Sequence, residues 1–437
     1  MKHTVRGTAV IVSLTLFLSL GRISSGQAHA NAPSGVVVRN WNQLALNTAR
    51  VKSASDAQAA RIYAMVNVAI YDAVNGIVSR HGAFDRDQAL VPADGAPAEG
   101  DLVAAAASAA HAVLTGLYPD LASQFDAQLA SDLSGLVGTG PVSAGQDWGA
   151  HVGAQVLAAR ANDGSSPVES QPAGSGPGQF RATWSGTQFR NLLPFAIADS
   201  SVYVSPGPPD LASLDYAAGL EQVKLLGNAA IPDADKLATF QFWNLPAGSS
   251  QPPGAWIQIA LAVTNDRPLE LARMARLFAL LSMAMCDTVA PTYQTKFLFH
   301  FWRPATAIRE ADTDGNPNTT ADPSWSPRAG GIGGTPEHWS GHSSFAGAAA
   351  RVLAGFFCDD NISFTITTDS APGGQARTYP SFSAAEAEMG RSRVVGGIHF
   401  EFSNQAGIAA GHGVASEVLS HKLLLKRDRT HFGQCPL

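Results

Sequence analysis

Apolar residues recur at three- and four-residue spacings along most of this chain. In "SDAQAARIYAMVNVAIYDAVNGI" (55–77), Ile62, Met65, Val66, Ala69, Ile70, Ala73 and Val74 share one face, which predicts a helix. Asp56 is placed to cap its start, and Gly76 lies near its end. The same patterning predicts helices at about 101–117, 119–137, 142–162, 211–226, 233–245, 268–302, 341–357, 383–395 and 399–425. Strand patterning is sparse, with "ISFTITT" (362–368) the best candidate. The expected fold is mainly α, packed helix on helix.

Gly, Pro and Ser cluster at 163–180 and 204–210. They divide an Ala-rich N-terminal helical region, 31–205, from a C-terminal region, 206–437, that holds most of the unusual polar residues; the two are also compatible with one shared core. A long Gly/Pro/Asp loop spans 310–336, and long loops inside compact domains are often functional. Asp312, Asp314 and Asn316 around Gly315 resemble the start of a calcium loop. The closing glutamate is absent, since that position is Pro323, so the segment is read as turn chemistry.

The first 30 residues break the helical pattern. Lys2 and Arg6 precede an apolar run from about Ala9 to Leu20, followed by Ala28-His29-Ala30, which reads as a secretory signal cleaved after Ala30. The run is short of the ~20 residues a spanning helix needs, so a stable membrane anchor is not expected. The mature protein is expected to be exported, periplasmic or extracellular. With a net charge of −6 and only 15% charged residues, the chain has no basic field to recruit nucleic acid. Cys286, Cys358 and Cys435 are too few for a disulfide framework or thiolate metal site, though one bridge fits an oxidising compartment.

Three polar clusters carry the candidate chemistry. In "KFLFHFWRP" (296–304), Lys296 and Arg303 are seven positions apart, which on a continuous helix sets them within about 20° of one face. Phe297, Leu298, Phe301 and Trp302 fill the other faces, and no carboxylate lies at helical spacing from Lys296. A buried charge needs a partner, and the local sequence offers none. In "TPEHWSGHSSFAGAAARVLAGFF", Ser340 is an N-cap candidate, with Gly341 and His342 opening the helix; unpaired N–H groups there form a natural anion site. In "MGRSRVVGGIHFEFSNQAG", Arg391 and Arg393 approach a helix end, Gly396-Gly397 breaks it, and His399 opens the next helix. Together the clusters describe a site for a tetrahedral oxyanion, with three fixed cations balancing a charge of two or three.

The pattern Lys, six residues, Arg-Pro, then Ser-Gly-His, then Ser-Arg, five residues, His resembles the signature shared by vanadium-dependent haloperoxidases and type 2 phosphatidic acid phosphatases. Here it reads Lys296 to Arg303-Pro304, Ser340-Gly341-His342, and Ser392-Arg393 to His399. Over roughly 36–425 the chain looks like the exported bacterial haloperoxidase-like branch, in "ARIYAMVNVAIYDAV", "LDYAAGLEQVKLLG", "FHFWRPATAIREADTDGNPNT" and "GGIHFEFSNQAG". The resemblance implies helical bundles and a vanadate cofactor with His399 as axial ligand. It implies that Lys296, Arg303, Arg393, Ser340 and the Gly341 N–H hold the equatorial oxygens, that His342 acts as acid–base, and that Lys296 polarises peroxide. The implied partners are hydrogen peroxide, a halide and a small organic acceptor.

The same residues also suit an acid phosphatase holding phosphate, in which His399 attacks phosphorus and His342 protonates the leaving group. A third reading is an oxyanion-binding protein without turnover. Two positions depart from the family pattern. Ser403 stands where the phosphatases usually have an Asp that orients the second histidine, leaving Glu401 or a backbone carbonyl as expected substitutes, and it weighs toward the peroxidase. Trp339 stands where a proline commonly precedes Ser-Gly-His. His300 and His338 are expected to be structural or solvent-facing, with tuning of the pocket or of the acid–base group as the alternative, and His412, His421 and His431 have no metal-ligand company.

Overall fold

The computed structural model describes residues 34–79 and 88–424, besides Met1. The leader, His431 and Cys435 lie outside the described residues. The chain from Pro33 onward forms one compact unit. Its helices are α1 (Val36–Val51), α2 (Asp56–Val78), α3 (Leu102–Leu117), α4 (Ala122–Leu133), α5 (Thr139–Ala159), α6 (Leu214–Leu226), α7 (Ala234–Phe242), α8 (Gln251–Asp266), α9 (Leu271–Asp287), α10 (Val289–Phe299), α11 (Pro304–Arg309), α12 (Gly341–Phe357), α13 (Phe382–Val395) and α14 (Glu401–His421). Two short antiparallel ribbons complete it, β1 (Ser170–Gln171) with β2 (Trp184–Ser185), and β3 (Phe364–Ile366) with β4 (Arg377–Tyr379). The strand expected at 362–368 is thus present, with Thr365 opposite Thr378.

Helix α2 sits at the centre of the molecule, and 19 of its residues are buried. Its cap differs from expectation by one residue. Ser55 accepts from the Gln58 N–H while the Gln58 side chain returns to the Ser55 N–H, a reciprocal capping box. Asp56 is thereby freed from capping and stands in the first turn. Apolar residues from Val37 to Leu423 join one core, so both halves of the sequence share it. A smaller cluster, including Tyr216, Phe301, Trp302, Trp325 and Phe400, packs beside the candidate site.

Three helices had no sequence-based expectation. α1 opens on β-branched Val36-Val37-Val38, and α8 opens on Pro252 and Pro253, which resemble a breaker but are tolerated in a first turn. α11 is a short helix with Pro304 at its start. The stretch Leu271–Phe299 is long and apolar enough to cross a membrane by length and composition, with mean hydropathy 1.3, yet its 18-residue apolar window is wholly buried within the protein. Cys286 is buried and free, and Cys358 is disulfide-bonded.

The two helices that carry opposite walls of the site, α12 and α14, lie in close contact because small residues face each other. A Cβ on Gly411 would come within 2.3 Å of the Ser344 carbonyl oxygen. Only glycine permits that approach, which brings the Ser340–His342 turn against the start of α14.

Candidate active site

The 268–302 segment is not one helix. α9 ends at Asp287, α10 runs only to Phe299, and His300 closes it in the left-handed conformation at φ 44°. Arg303 lies beyond the helix with extended backbone, as the residue before Pro304 must. Lys296 and Arg303 therefore do not meet as neighbours on one helical face. They are brought together by a chain reversal, with Phe301 and Trp302 buried in the small cluster and Leu298 exposed.

The reversal delivers both cations to the loop 333–340. Lys296 Nζ donates to the carbonyls of Pro336 and Glu337. Arg303 Nε donates to the Thr335 carbonyl at 2.8 Å, and its Nη1 donates to the Ile398 carbonyl at 2.7 Å and to His399 Nε2 at 2.9 Å. Gly333, at φ 92°, makes room for this guanidinium, since a Cβ there would sit 2.7 Å from Arg303 Cζ. Gly333→Ala is expected to displace Arg303 and weaken oxyanion binding about tenfold or more, because strained backbone and steric conflict add. Phosphate titration of the variant checks this.

Ser340 caps α12 as expected, its Oγ accepting from the Ser343 N–H. The Gly341 and His342 N–H groups occupy the first turn, where no intrahelical acceptor exists. His342 is half-buried, and its Nε2 lies 3.1 Å from the Asn244 carbonyl, which fixes the proton on Nε2 and leaves Nδ1 as the basic nitrogen. After α13 the chain turns through Gly396-Gly397, and the N–H groups of Ile398 and His399 return to the Arg393 carbonyl. That turn sets Arg393 and His399 side by side. α14 begins at Glu401, so His399 precedes the helix instead of opening it. Arg393 donates through Nη1 to the Trp243 carbonyl, and its buried Nε has no partner among the described residues. Arg391 turns away to pair with Glu401 at 2.8 Å.

The carboxylate missing from the local sequence is Glu337. It is fully buried, and its Oε1 accepts from His399 Nδ1 and the Phe400 N–H, both at 2.9 Å; its Oε2 accepts from Ser403 Oγ at 2.7 Å. Glu401, expected as a substitute orienting group, is engaged by Arg391 instead. Ser403 does not remove the orienting carboxylate but donates to one contributed by another loop, so its weight toward a peroxidase is lost. His338 extends the chain: its Nδ1 meets Ser403 Oγ and its Nε2 meets Ser205 Oγ, each at 2.8 Å. This is the structural role expected of His338, and Trp339 is likewise buried, with Nε1 on Thr292 Oγ1. A local clue to Glu337 existed: it is the lone carboxylate in the "TPEHWSGH" turn.

The electrostatics follow from burial beside like charges. Burial, then Arg303, pushes the Lys296 ammonium well below its usual range, with Glu337 and Asp56 opposing. Arg393 is pushed down to about 9 by burial and Arg303. Burial pushes Glu337 up to about 7, opposed by Ser403, Arg303 and Lys296. His399 and His342 are pushed well below their usual range by burial first and the surrounding cations second, and burial brings His338 down to about 3. His399 is thus a neutral imidazole with its proton on Nδ1 and its Nε2 lone pair directed into the cation cluster.

These shifts predict acid sensitivity of the anion-free protein. The three imidazoles bind protons less readily when folded, so below about pH 6.5 the unfolded chain takes up more protons and stability falls with pH, by up to ~1.4 kcal/mol per pH unit each. Glu337, and Asp287 raised to about 6 by burial, act oppositely, contributing stability below their folded values that is lost as pH rises through them. Three against two leaves a net fall, expected as a melting temperature that drops between pH 6.5 and 5; a rising one contradicts it.

Asp56 was read as a helix cap but faces the site. Its Oδ1 accepts from Tyr293 Oη at 2.8 Å and from the Ala57 N–H at 2.7 Å. Tyr293 stands one turn before Lys296 on α10. The 312–316 segment, read as turn chemistry, is closed by its own side chains, Asp314 accepting from Thr319 Oγ1 and the Asn316 N–H. Among the described residues no cluster of His, Cys, Asp and Glu has metal-binding geometry.

Residues 276–426 match the model of the second helical-bundle domain of vanadium chloroperoxidase. The match supports kinship with the vanadium haloperoxidase superfamily. The vanadium chloroperoxidase of Curvularia inaequalis is 26% identical over 190 residues, 37% of this chain and 30% of that protein's length. Among solved structures, a bacterial vanadium-dependent iodoperoxidase superposes with a TM-score of 0.73 at 22% identity, covering 90% of this chain and 98% of its own. A bacterial vanadium-dependent chloroperoxidase solved in its holo form gives 0.65 at 16% identity, covering 83% and 92%. These two share the helical-bundle fold. Of the haloperoxidase signature residues, Lys296, Arg303, Arg393, His342 and His399 lie close enough to bear on one another's charge, and Ser340 and Gly341 adjoin His342 at the start of α12.

Proposed function

We propose that this protein is a vanadium-dependent haloperoxidase that oxidises halide with hydrogen peroxide. The observation that carries the reading is the Nε2 lone pair of neutral His399, oriented by Glu337 and surrounded by three buried cations with donors to spare. The buried, unpartnered Arg393 Nε is a position that a tetrahedral oxyanion would satisfy. Vanadate fits this donor set, and when bound it would activate peroxide as a Lewis acid.

Lys296, Arg303 and Arg393 neutralise the oxyanion and hold its oxygens, joined by Ser340 Oγ and the Gly341 N–H. His399 would offer its Nε2 lone pair to the bound oxyanion, and Glu337 fixes its tautomer from the other side. His342, with its Nε2 proton held by the Asn244 carbonyl, would accept a proton from peroxide at Nδ1 and hold it for return. Lys296 keeps an unused N–H with which to polarise the peroxide.

The Glu337–His399 pair also supports a phosphatase, because a nucleophilic imidazole needs such a carboxylate. The depressed His342 bears equally on both readings, since each asks it to deliver a proton, and the likeness to haloperoxidases is what supports the first. Reconstitution with orthovanadate, followed by separate assays of peroxide-dependent halide oxidation and phosphate-ester hydrolysis, tests the two. Halide oxidation is expected; ester hydrolysis without it selects the phosphatase, and tight oxyanion binding with neither selects a binding protein. We infer export as well, supported by the leader composition and the disulfide at Cys358, and fractionation of cells expressing the full chain tests it.

A further inference from the structure

The polar cluster around Arg303, Arg393 and the start of α12 consists almost wholly of donors: an ammonium, two guanidinium groups, a hydroxyl and helix-terminal N–H groups. One group facing it does the reverse. Asp56 Oδ2 lies 3.4 Å from the position a Cβ on Gly341 would take, and nothing else outside the local helix lies within 4 Å of that point. Space therefore opens beside Gly341, bounded by a carboxylate oxygen. Tyr293 Oη and the Ala57 N–H hold Oδ1, and among the described residues no donor reaches Oδ2. Asp56 is only half-buried, but two donors on one oxygen restrain its rotation and aim the other.

We propose that Asp56 is the specificity-determining residue of the oxyanion site, accepting a hydrogen bond from a protonated oxygen of the bound anion. This rests on the oxyanion site described above. An ionised carboxylate is an acceptor only, so beside an anion it is tolerated solely where the anion offers an O–H. An oxygen with no proton would meet it as charge against charge. The ligands selected are tetrahedral oxyanions that retain a proton near neutral pH, such as phosphate and vanadate, and sulfate is excluded although its shape and charge are similar. The site then suits a partly protonated anion better than a fully ionised one.

The test compares inorganic phosphate, orthovanadate and sulfate at pH 7 and equal ionic strength, by isothermal titration and by the melting temperature of the anion-free protein. Wild type is expected to prefer phosphate to sulfate by about tenfold or more, the worth of one charge-assisted hydrogen bond set against one repulsion. Asp56→Asn places an amide donor where Oδ2 stood, and its phosphate and sulfate affinities are expected to come within about threefold of each other. Tyr293→Phe keeps the carboxylate but loosens it, with an intermediate ratio expected. Equal phosphate and sulfate affinities in wild type overturn the inference while leaving the oxyanion site intact, and that comparison needs no variant. An unchanged ratio in Asp56→Asn overturns it too. If none of the three anions binds, the inference falls together with the site it rests on.

Discussion

His399→Ala is expected to abolish peroxide-dependent halide oxidation in protein reconstituted with vanadate, while the chain still folds. Removing even a residue that supports a metal ligand costs about 10- to 100-fold in metal affinity or activity, so loss of the ligand itself should exceed that range. Folding survives because the neighbours keep partners. Arg303 Nη1 retains the Ile398 carbonyl, its Nε retains Thr335, and Glu337 retains the Phe400 N–H and Ser403. Phosphate should still raise the melting temperature of the variant, since Lys296, Arg303 and Arg393 remain; a ligand at 100 times its dissociation constant stabilises by ~2.7 kcal/mol. Anion binding and turnover are thereby separated. Retained halide oxidation would show that the axial nitrogen has been placed on the wrong residue.

The parts of this site that were legible in the sequence are those whose geometry is local. Ser340 caps α12 because a hydroxyl two or three residues before free N–H groups can act nowhere else, and Gly396-Gly397 ends α13 because the turn lies between Arg393 and His399 themselves. The Lys296–Arg303 relation was misread for an equally local reason that went unused. Pro304 disfavours a helical Arg303, and the helix had already ended at Phe299. Their convergence survives because the loop 333–340 gathers both cations by its carbonyls, an arrangement no helical periodicity encodes. Glu337 and Asp56 were missed because their partners are remote in the chain: His399 lies 62 residues from Glu337, and Tyr293 lies 237 from Asp56. Glu337 also sits in a Gly- and Pro-rich turn, where a carboxylate ordinarily faces solvent. The candidate cations were read as having only the ligand for a counter-charge; in the folded chain they share it with these two residues.

That shared counter-charge makes Glu337→Ala the substitution with the largest expected effect on stability. Three donors, His399 Nδ1, the Phe400 N–H and Ser403 Oγ, would lose their acceptor at a fully buried position. Lys296 and Arg303 would lose the carboxylate that offsets their burial. Removing one partner of a buried charge pair costs about 3–5 kcal/mol, chiefly because the remaining charge stays buried and uncompensated. Glu337→Gln is expected to cost less, since an amide oxygen still accepts from His399 and Phe400 while its NH₂ group can donate to Ser403. Both variants lose the carboxylate, so above the Glu337 value of about 7 phosphate or vanadate should stabilise them by more than it stabilises wild type, the anion supplying the charge that Glu337 no longer does. Thermal unfolding of the three proteins with and without phosphate measures this directly. A Glu337→Ala protein that melts with wild type, or a wild type stabilised as much by phosphate as either variant, would mean that Glu337 does not balance the cation cluster.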